Sequence, residues 1–268
     1  MNRALLIGIN YINDPQATLR GCIDDIVNME NILTSKYGYS SDNIIMLRDD
    51  ISDPTLQPTR DNILSQLQNL ATISTANDNV WIHYSGHGSL IQNSERGMLV
   101  PVDYDVNGFI KDTDFFAIIQ QMLGQTVIVM DSCNSGSVCD LEWNYEYLYG
   151  LNFMRTQLNN QFILNSNIFV LSGCKTLQNS AEIFDIEANQ YEGAFTDALL
   201  HVMKSNSYTI SLGKLMQGIC AWLVSNGIST QKPMLSSSSA SPILMLSPPS
   251  ELTSSVIQQN FQNIIGTI

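Results

Sequence analysis

The 268-residue sequence is poor in charge and contains no long hydrophobic run. Only 14% of its residues are charged, and 25 acidic residues outnumber 12 basic ones, for a formal net charge of −13. Nucleic acids and anionic membranes bind basic surfaces, so we expect neither as a partner. No stretch has the roughly 18 to 20 apolar residues of a membrane span, and the first ten residues lack signal-peptide features. We therefore expect an intracellular, cytoplasmic protein.

Cysteines and phosphate-binding glycine loops are also scarce. Five cysteines, an odd number scattered through the chain, do not suggest a disulfide framework and fit a reducing compartment. Neither GxGxxG nor GxxxxGK[ST] occurs, so nucleotide-dependent chemistry is not expected. What the chain does have is 44% apolar residues, which is enough for one large or two small domains.

Short apolar runs alternate with amphipathic segments along the chain. Five runs have the length and composition of buried β-strands, and they cover 4–9, 43–47, 79–84, 126–130 and 167–171. Apolar residues recur at helical spacing between the earlier runs. This alternation predicts an α/β fold, with a mostly parallel sheet and helices on both of its faces.

The remaining elements are predicted from local signals. Asn107-Gly108, between two apolar runs, predicts a β-hairpin at the margin of the sheet. Helices are expected at 194–204 and 212–224, followed by a loop and a last strand at about 242–246. The serine run at 236–239 is compatible with flexible low-complexity sequence or with an ordered loop.

Two predicted strands end in loops that could carry nucleophilic chemistry. "NVWIHY" leads into "SGHG", which contains His87, and "TVIVM" leads into "DSCNSG", which contains Cys133. In an open α/β sheet, ligands bind outside the carboxyl ends of the strands. A cysteine nucleophile needs a nearby base, and small neighbours that let a carbonyl and backbone N–H groups approach. The alternative is a buried core thiol and a hydrogen-bonded loop histidine.

"HYSGHG" and "DSCNSG", with His87 placed 46 positions before Cys133, resemble the paired motifs of the metacaspases, a family of caspase-like peptidases. Six further segments occur in the family's order: "ALLIGINY", "LRGCIDD", "LVPVDY", "LSGCKTLQNSAE", "GAFTDAL" and "QKPMLSSS". We expect a member of the family without a long Pro- or Gln-rich prodomain before Met1. The resemblance implies one caspase-like domain over 1–268, with a large-subunit-like region (1–150), a connection (151–166), a small-subunit-like region (167–246) and a C-terminal segment (247–268).

The resemblance also implies a cysteine endopeptidase with a Cys-His dyad. Cys133 would be the nucleophile, His87 the general base, and the backbone N–H groups of Gly88 and Cys133 the oxyanion hole. No third side chain that would orient His87 can be identified. A catalytically silent caspase-like module that binds a partner is the alternative, but such a module has no need of both His87 and Cys133.

By the same resemblance, Asp25, Ser85 and Asp131 line the pocket for the residue before the cleaved bond. Two carboxylates in one pocket favour a cationic side chain, and arginine suits them especially. We therefore expect protein or peptide substrates with Arg or Lys at that position, and the family suggests a monomer. Without the resemblance, Asp25 would be an exposed first-turn helix carboxylate, Asp131 a turn former and Ser85 a loop hydroxyl.

Self-processing is expected after Arg155. It is the only basic residue between Cys133 and the predicted strand "NIFVL". That connection is long and polar, and it is expected to be exposed. The alternative is a solvated surface arginine. His83 and His87 have the H-x₃-H spacing of some zinc sites, but a shared face at that interval needs a helix, whereas "VWIHYSGHG" is typical of a strand and loop.

Calcium is the point where the sequence departs from the family, whose members often hold Ca²⁺ in a cluster of aspartates. Two matching positions are Asp112 and Asp140, whereas Arg96 and Thr113 stand where the pattern has acids. Calcium requires six to eight oxygen ligands and gains affinity from their charge, so this exchange predicts a degenerate site. Arg96 could pair with Asp112 or Asp140 in place of the ion, or it could point to solvent while Glu95, Asp114 or carbonyl groups rebuild the site. We expect an enzyme that requires no cofactor, with calcium disfavoured.

Overall fold

The computed structural model describes residues 1–91, 94, 96–132, 139, 141–148, 153–158, 165, 167–174, 182–185 and 190–249, with only the backbone of 182–185 and 190–192. Its α-helices are α1 (Cys22–Tyr37), α2 (Arg60–Ile73), α3 (Tyr104–Asn107), α4 (Asp112–Ile119), α5 (Ala194–Ser205) and α6 (Leu212–Ser225). A 3₁₀ turn covers Ser41–Asn43. Among these described helices, none combines the length and hydropathy that a bilayer crossing requires.

The strands of the described residues form one large sheet and three small ones. They are β1 (Asn2–Gly8), β2 (Ile44–Arg48), β3 (Asn79–Ser85), β4 (Gly88–Leu90), β5 (Gly97–Leu99), β6 (Ile110–Lys111), β7 (Gln125–Asp131), β8 (Trp143–Tyr147), β9 (Phe153–Gln157), β10 (Ile168–Ser172), β11 (Glu182–Asp185), β12 (Gln190–Gly193), β13 (Ile210–Ser211), β14 (Met234–Ser237) and β15 (Met245–Leu246). The large sheet has eight strands in the order β2-β1-β3-β7-β10-β14-β8-β9.

The parallel half of the large sheet is the part that the sequence predicts. The five apolar runs form β1, β2, β3, β7 and β10, and these strands pair in parallel. β14, β8 and β9 extend the sheet with antiparallel pairs. The α/β prediction is therefore confirmed, with an antiparallel extension that the apolar pattern does not indicate.

A hydrophobic core lies on each face of the large sheet. On one face, Leu33 of α1, Phe195 of α5 and Leu215 of α6 pack with Trp81 and Val127 of the central strands. On the other face, residues of α2 and α4 pack with the alternate side chains of the same strands. Because successive side chains of a strand point to opposite faces, β3 sends His83 and Ser85 to the first face and Tyr84 to the second.

The predicted hairpin has a different connection from the one that Asn107-Gly108 suggests. β5 and β6 do pair in antiparallel fashion, but Asn107 ends the short helix α3, and Gly108 follows it with φ 75°. The glycine therefore supplies the positive φ that terminates a helix rather than a two-residue hairpin turn. β4 joins the pair to make a three-stranded sheet beside the main one.

Two segments that were expected to be loops contain strands of the large sheet. The serine run begins inside β14, where Ser237 is fully buried and Ser236 nearly so, and Ser238 Oγ accepts a hydrogen bond from the Ile168 N–H (3.1 Å). The ordered alternative therefore applies to these serines. Within the expected connection 151–166, residues Phe153–Gln157 form the edge strand β9.

Candidate active site

The ends of β3 and β7 lie side by side at the carboxyl edge of the parallel strands. Ser85, the last residue of β3, is in register with Asp131, the last residue of β7. The loop with His87 follows β3, and the buried Ser132 follows β7. Cys133 comes next in the sequence and lies outside the described residues. The topology thus brings the predicted histidine loop and the strand that leads to the predicted nucleophile to one edge of the sheet.

Asp25 and Ser85 are in direct contact. Ser85 Oγ donates to Asp25 Oδ2 (2.5 Å), and the backbone N–H of Gly193 donates to Asp25 Oδ1 (2.9 Å). Asp25 belongs to the first turn of α1, but it faces the sheet and is fully buried, unlike the exposed helix carboxylate of the alternative interpretation. Both of its oxygens therefore accept a hydrogen bond from a group on another element.

Asp131 is bound by the start of α5. Its Oδ2 accepts from both the backbone N–H and the hydroxyl of Thr196, each at 2.9 Å. Thr196 is the third residue of α5, so the carboxylate satisfies a backbone N–H that has no partner within the helix. Asp131 thereby caps α5 from another element of the fold.

His83 is the third member of a buried hydrogen-bonded series that also contains Thr196 and Asp131. Its Nε2 is 3.2 Å from Thr196 Oγ1, and since that hydroxyl gives its proton to Asp131, Nε2–H of His83 is the donor. Nδ1 of His83 has no hydrogen-bond partner within the described part of the chain. Burial lowers the pKa of His83 to about 3, so its imidazole is neutral. His83 therefore acts as a hydrogen-bond donor to Thr196. No group of three or more metal-binding side chains occurs among the described residues, so the H-x₃-H spacing of His83 and His87 does not mark a zinc site there.

Gly193 lies where the two carboxylates meet. A Cβ at this position would lie 2.7 Å from Asp25 Oδ2 and would overlap the carboxylate of Asp131. Asp25, Ser85 and Asp131 are 0%, 1% and 4% exposed. The three predicted pocket residues are thus brought together in one buried cluster.

His87 is held by a backbone carbonyl rather than by a third side chain. Its Nε2 is 2.7 Å from the carbonyl oxygen of Ala17, which lies in the loop between β1 and α1. A carbonyl can only accept, so Nε2 carries a proton, and Nδ1 is the nitrogen left to act as a proton acceptor. Sequence reasoning missed this group because any residue type can supply a carbonyl oxygen.

Gly88, the predicted oxyanion donor next to His87, begins β4. It is in register with Leu99 of β5, so the small three-stranded sheet fixes the backbone immediately after the histidine. Cys133, the other predicted donor, lies outside the described residues. The roles of Gly88 and Cys133 as oxyanion donors therefore stay predictions.

The region of the predicted calcium cluster contains an ion pair. Arg96 Nε lies 3.5 Å from Asp112 Oδ2, and the Thr113 N–H donates to Asp112 Oδ1 (2.7 Å). Burial raises the pKa of Asp112, while the Thr113 N–H and the Arg96 guanidinium act to lower it. Asp140 and Glu95 lie outside the described residues. A guanidinium on the carboxylate does not fit a site for a divalent cation, because it repels the ion and occupies one of its ligands.

Arg155 lies in an ordered strand rather than in a free connection. It is opposite Tyr145 in the β8–β9 pair, its Nη1 donates to the Ala240 carbonyl (3.0 Å), and its guanidinium lies 4.8 Å from the centre of the Trp143 ring. The side chain is nevertheless exposed. Cleavage after Arg155 would therefore require β9 to separate from β8.

Comparison with known proteins assigns this arrangement to a family. The sequence model described as "Metacaspase, peptidase C14 domain" matches residues 2–142, which is more than half of the chain and includes His87 and Cys133. The chain belongs to the metacaspase family. Similar curated metacaspases are Metacaspase-1 of Eremothecium gossypii (41% identity over 153 residues) and Metacaspase III c of Phaeodactylum tricornutum (37% over 171 residues).

These matches cover only part of each metacaspase. The aligned region is 53% of this chain and 34% of the Eremothecium protein, and 60% of this chain and 50% of the Phaeodactylum protein. The fold has wider support, since caspase-1 of Spodoptera frugiperda superposes with a TM-score of 0.58 at 13% identity, covering 89% of each chain. The predicted caspase-like fold is therefore confirmed.

Proposed function

We propose that this metacaspase is a cysteine endopeptidase that hydrolyses peptide bonds after Arg or Lys. The observation that carries the proposal is the tautomer of His87, whose Nε2–H is committed to the Ala17 carbonyl. This contact leaves Nδ1 to accept a proton at the edge of the sheet where β7 ends, two residues before Cys133 in the sequence. A silent binding module would need neither the free basic nitrogen nor the thiol.

Each step of the reaction has a group in this chain. His87 Nδ1 takes the proton of the Cys133 thiol, and the thiolate attacks the peptide carbonyl. The developing oxyanion accepts hydrogen bonds from backbone N–H groups, of which Gly88 and Cys133 are the candidates. The His87 imidazolium then protonates the leaving amine, and water hydrolyses the acyl-enzyme with His87 again as the base.

The preference for a basic residue rests on Asp25 and Asp131. Both carboxylates lie within the same buried cluster, and each accepts hydrogen bonds that hold its position. An arginine side chain offers a planar set of N–H donors that matches such carboxylates. Because the cluster is buried, the guanidinium of a substrate arginine would have to replace hydrogen bonds that Gly193 or Ser85 now donates to Asp25.

Covalent labelling tests the proposed nucleophile. A peptide with a carboxyl-terminal arginyl chloromethyl ketone should alkylate Cys133, with the labelled residue identified by mass spectrometry, and His87→Ala should slow the labelling. Cys220 is an internal control, because burial raises the pKa of its thiol to about 12 and keeps it protonated. Labelling of Cys220 or Cys139 at the rate of Cys133 would contradict the proposal.

Self-processing after Arg155 is part of the same proposal. Its test is N-terminal sequencing of fragments after prolonged incubation, with a new terminus at Thr156 expected in the wild type and absent in Arg155→Gln. Trp143→Ala should speed the cleavage, because it removes the ring beneath the guanidinium and loosens β9. If no terminus appears at Thr156 in either protein, Arg155 is a surface residue of an edge strand.

A further inference from the structure

Two buried tyrosine hydroxyls bracket the backbone of His87. The His87 N–H donates to Tyr11 Oη (2.9 Å), and Tyr84 Oη donates to the His87 carbonyl (2.8 Å). Tyr11 Oη uses its own proton on the carbonyl of Val100 (2.7 Å), which leaves its lone pairs for His87. The backbone of His87 is therefore fixed on both of its polar sides by side chains from β3 and from the loop after β1.

Tyr11 also contacts the imidazole itself. The two ring centres are 4.7 Å apart, with an angle of 36° between the ring planes. Together with the Ala17 carbonyl at Nε2, this contact restricts both the plane of the imidazole and its rotation. The ring of Tyr11 thus supports the same histidine whose backbone its hydroxyl binds.

The backbone of Tyr11, which places its side chain against His87, has an unfavourable conformation. Tyr11 has φ 52°, in the left-handed region that a bulky side chain rarely adopts. The buried carboxylate of Asp49 holds this conformation by accepting from the N–H groups on either side, those of Asn10 (2.9 Å) and Ile12 (3.0 Å). A strained residue clamped on both sides in this way indicates a role beyond filling the core.

The neighbouring glycine is explained by the same two hydroxyls. A Cβ at Gly86 would lie 2.9 Å from Tyr84 Oη and 3.2 Å from Tyr11 Oη. Tyr11 and Tyr84 are at most 1% exposed, and burial raises the pKa of each hydroxyl. The hydroxyls therefore stay protonated over the whole working range of pH, and water does not compete for their hydrogen bonds.

We infer that Tyr11 and Tyr84 are positioning residues that hold His87 in its proton-accepting geometry. The inference rests on the proposed function, in which His87 is the base. Fixing both the backbone and the ring keeps Nδ1 in place, and a displacement of about 1 Å in such a group costs up to about 100-fold in rate. Neither tyrosine touches the substrate in this role, so each acts through His87.

Tyr11→Phe and Tyr84→Phe test the inference, because each removes one oxygen and keeps the ring. We expect kcat on an arginyl peptide to fall at least about tenfold, with KM changed less than about twofold. The chain has only three histidines, so ¹⁵N NMR can follow His87 directly. The wild-type ring should be the Nε2–H tautomer, and Tyr11→Phe should give a mixture of tautomers.

Tyr37→Phe is the matched control, since its largely buried hydroxyl donates to the Tyr208 carbonyl (2.9 Å) at the opposite edge of the sheet. It should leave kcat and the His87 signals unchanged. Unchanged His87 signals in both active-site variants would overturn the inference, even if thermal stability fell. A wild type that cleaves no peptide would contradict the proposed function, while the NMR comparison would still decide the role of the tyrosines.

Discussion

At the scale of single residues, Gly193 is the position where two carboxylates depend on the absence of a side chain. Its φ of −66° suits any residue, so only the space occupied by Asp25 and Asp131 opposes a substitution. Gly193→Ala should displace one carboxylate, lower stability by about 1 to 3 kcal/mol and strongly reduce cleavage after Arg. The measurement is kcat/KM on an arginyl peptide together with chemical denaturation.

Gly213→Ala in α6 is the control for that prediction. A Cβ there would be 3.7 Å from the Phe153 ring, which is ordinary van der Waals contact. Alanine also has a higher helix propensity than glycine. This variant should be at least as stable as the wild type and equally active. Normal arginyl cleavage by Gly193→Ala would mean that Asp25 and Asp131 do not form the specificity pocket.

A second prediction at this scale concerns Arg96, whose ion pair with Asp112 occupies the region of the expected calcium site. Activity should be the same within about twofold in excess chelator and in millimolar calcium, because a guanidinium at ~4 Å repels a divalent ion strongly even at an effective dielectric of ~20. In Arg96→Asp, added calcium should instead raise the melting temperature. A large, reversible calcium dependence of wild-type activity would contradict the prediction.

At the scale of elements, the first turn of α5, in the second half of the chain, binds Asp131 of the predicted substrate pocket. Thr196 gives its backbone N–H and its hydroxyl to Asp131 and accepts from His83. Thr196→Val keeps the shape and the backbone N–H that binds Asp131, but it removes the hydroxyl that donates to Asp131 and accepts from His83, which should cost about 1 to 3 kcal/mol of stability. Arginyl KM should rise more than kcat falls, as steady-state kinetics would show. Equal effects of Thr196→Val and of the exposed control change Thr209→Val, which lies beyond the other end of α5, would contradict this role.

How far the sequence predicts these elements depends on how each signal is encoded. The five parallel strands are continuous apolar runs, and all five are found. β14 includes Ser236 and Ser237, and β9 is exposed at the edge, so neither has the pattern of a buried strand. Their place depends on pairing with distant strands, which local composition does not record.

The candidate site divides in the same way. His87, Asp25 and Asp131 are marked by residue type and motif, so the sequence could indicate them. The Ala17 carbonyl, the Thr196 N–H and the space at Gly193 act through backbone or through the absence of a side chain. Such contributions have no residue-type signal, and only the fold reveals them.

At the scale of the whole molecule, the buried His83 links stability to pH. Its folded-state pKa of about 3 lies below its ordinary value of 6.5, so between these values only the unfolded chain takes up the proton. Stability from this residue is complete above about pH 6.5 and falls as the pH decreases towards 3, by up to about 1.4 kcal/mol per pH unit. His83→Gln should show a shallower loss between pH 6.5 and 4.5 in urea denaturation.

His201→Gln provides the comparison, because His201 is exposed on α5. His201→Gln should lose stability with falling pH as the wild type does, because it leaves the buried His83 in place. A wild-type slope in His83→Gln would contradict the assignment of a neutral buried imidazole.

Monomeric state and the absence of nucleic-acid binding stay predictions from the acidic composition and the family resemblance.

The most direct test of the proposed function is cleavage of a peptide panel that differs only at the residue before the scissile bond. Wild-type enzyme should cleave the Arg and Lys peptides at least about 100-fold faster than those with Leu, Asp or Gln, because a charge-assisted contact is worth about 1.5 to 3 kcal/mol at each carboxylate. Cys133→Ala should cleave none of them while remaining folded. Equal cleavage of all peptides by the wild type, or undiminished cleavage by Cys133→Ala, would contradict the account.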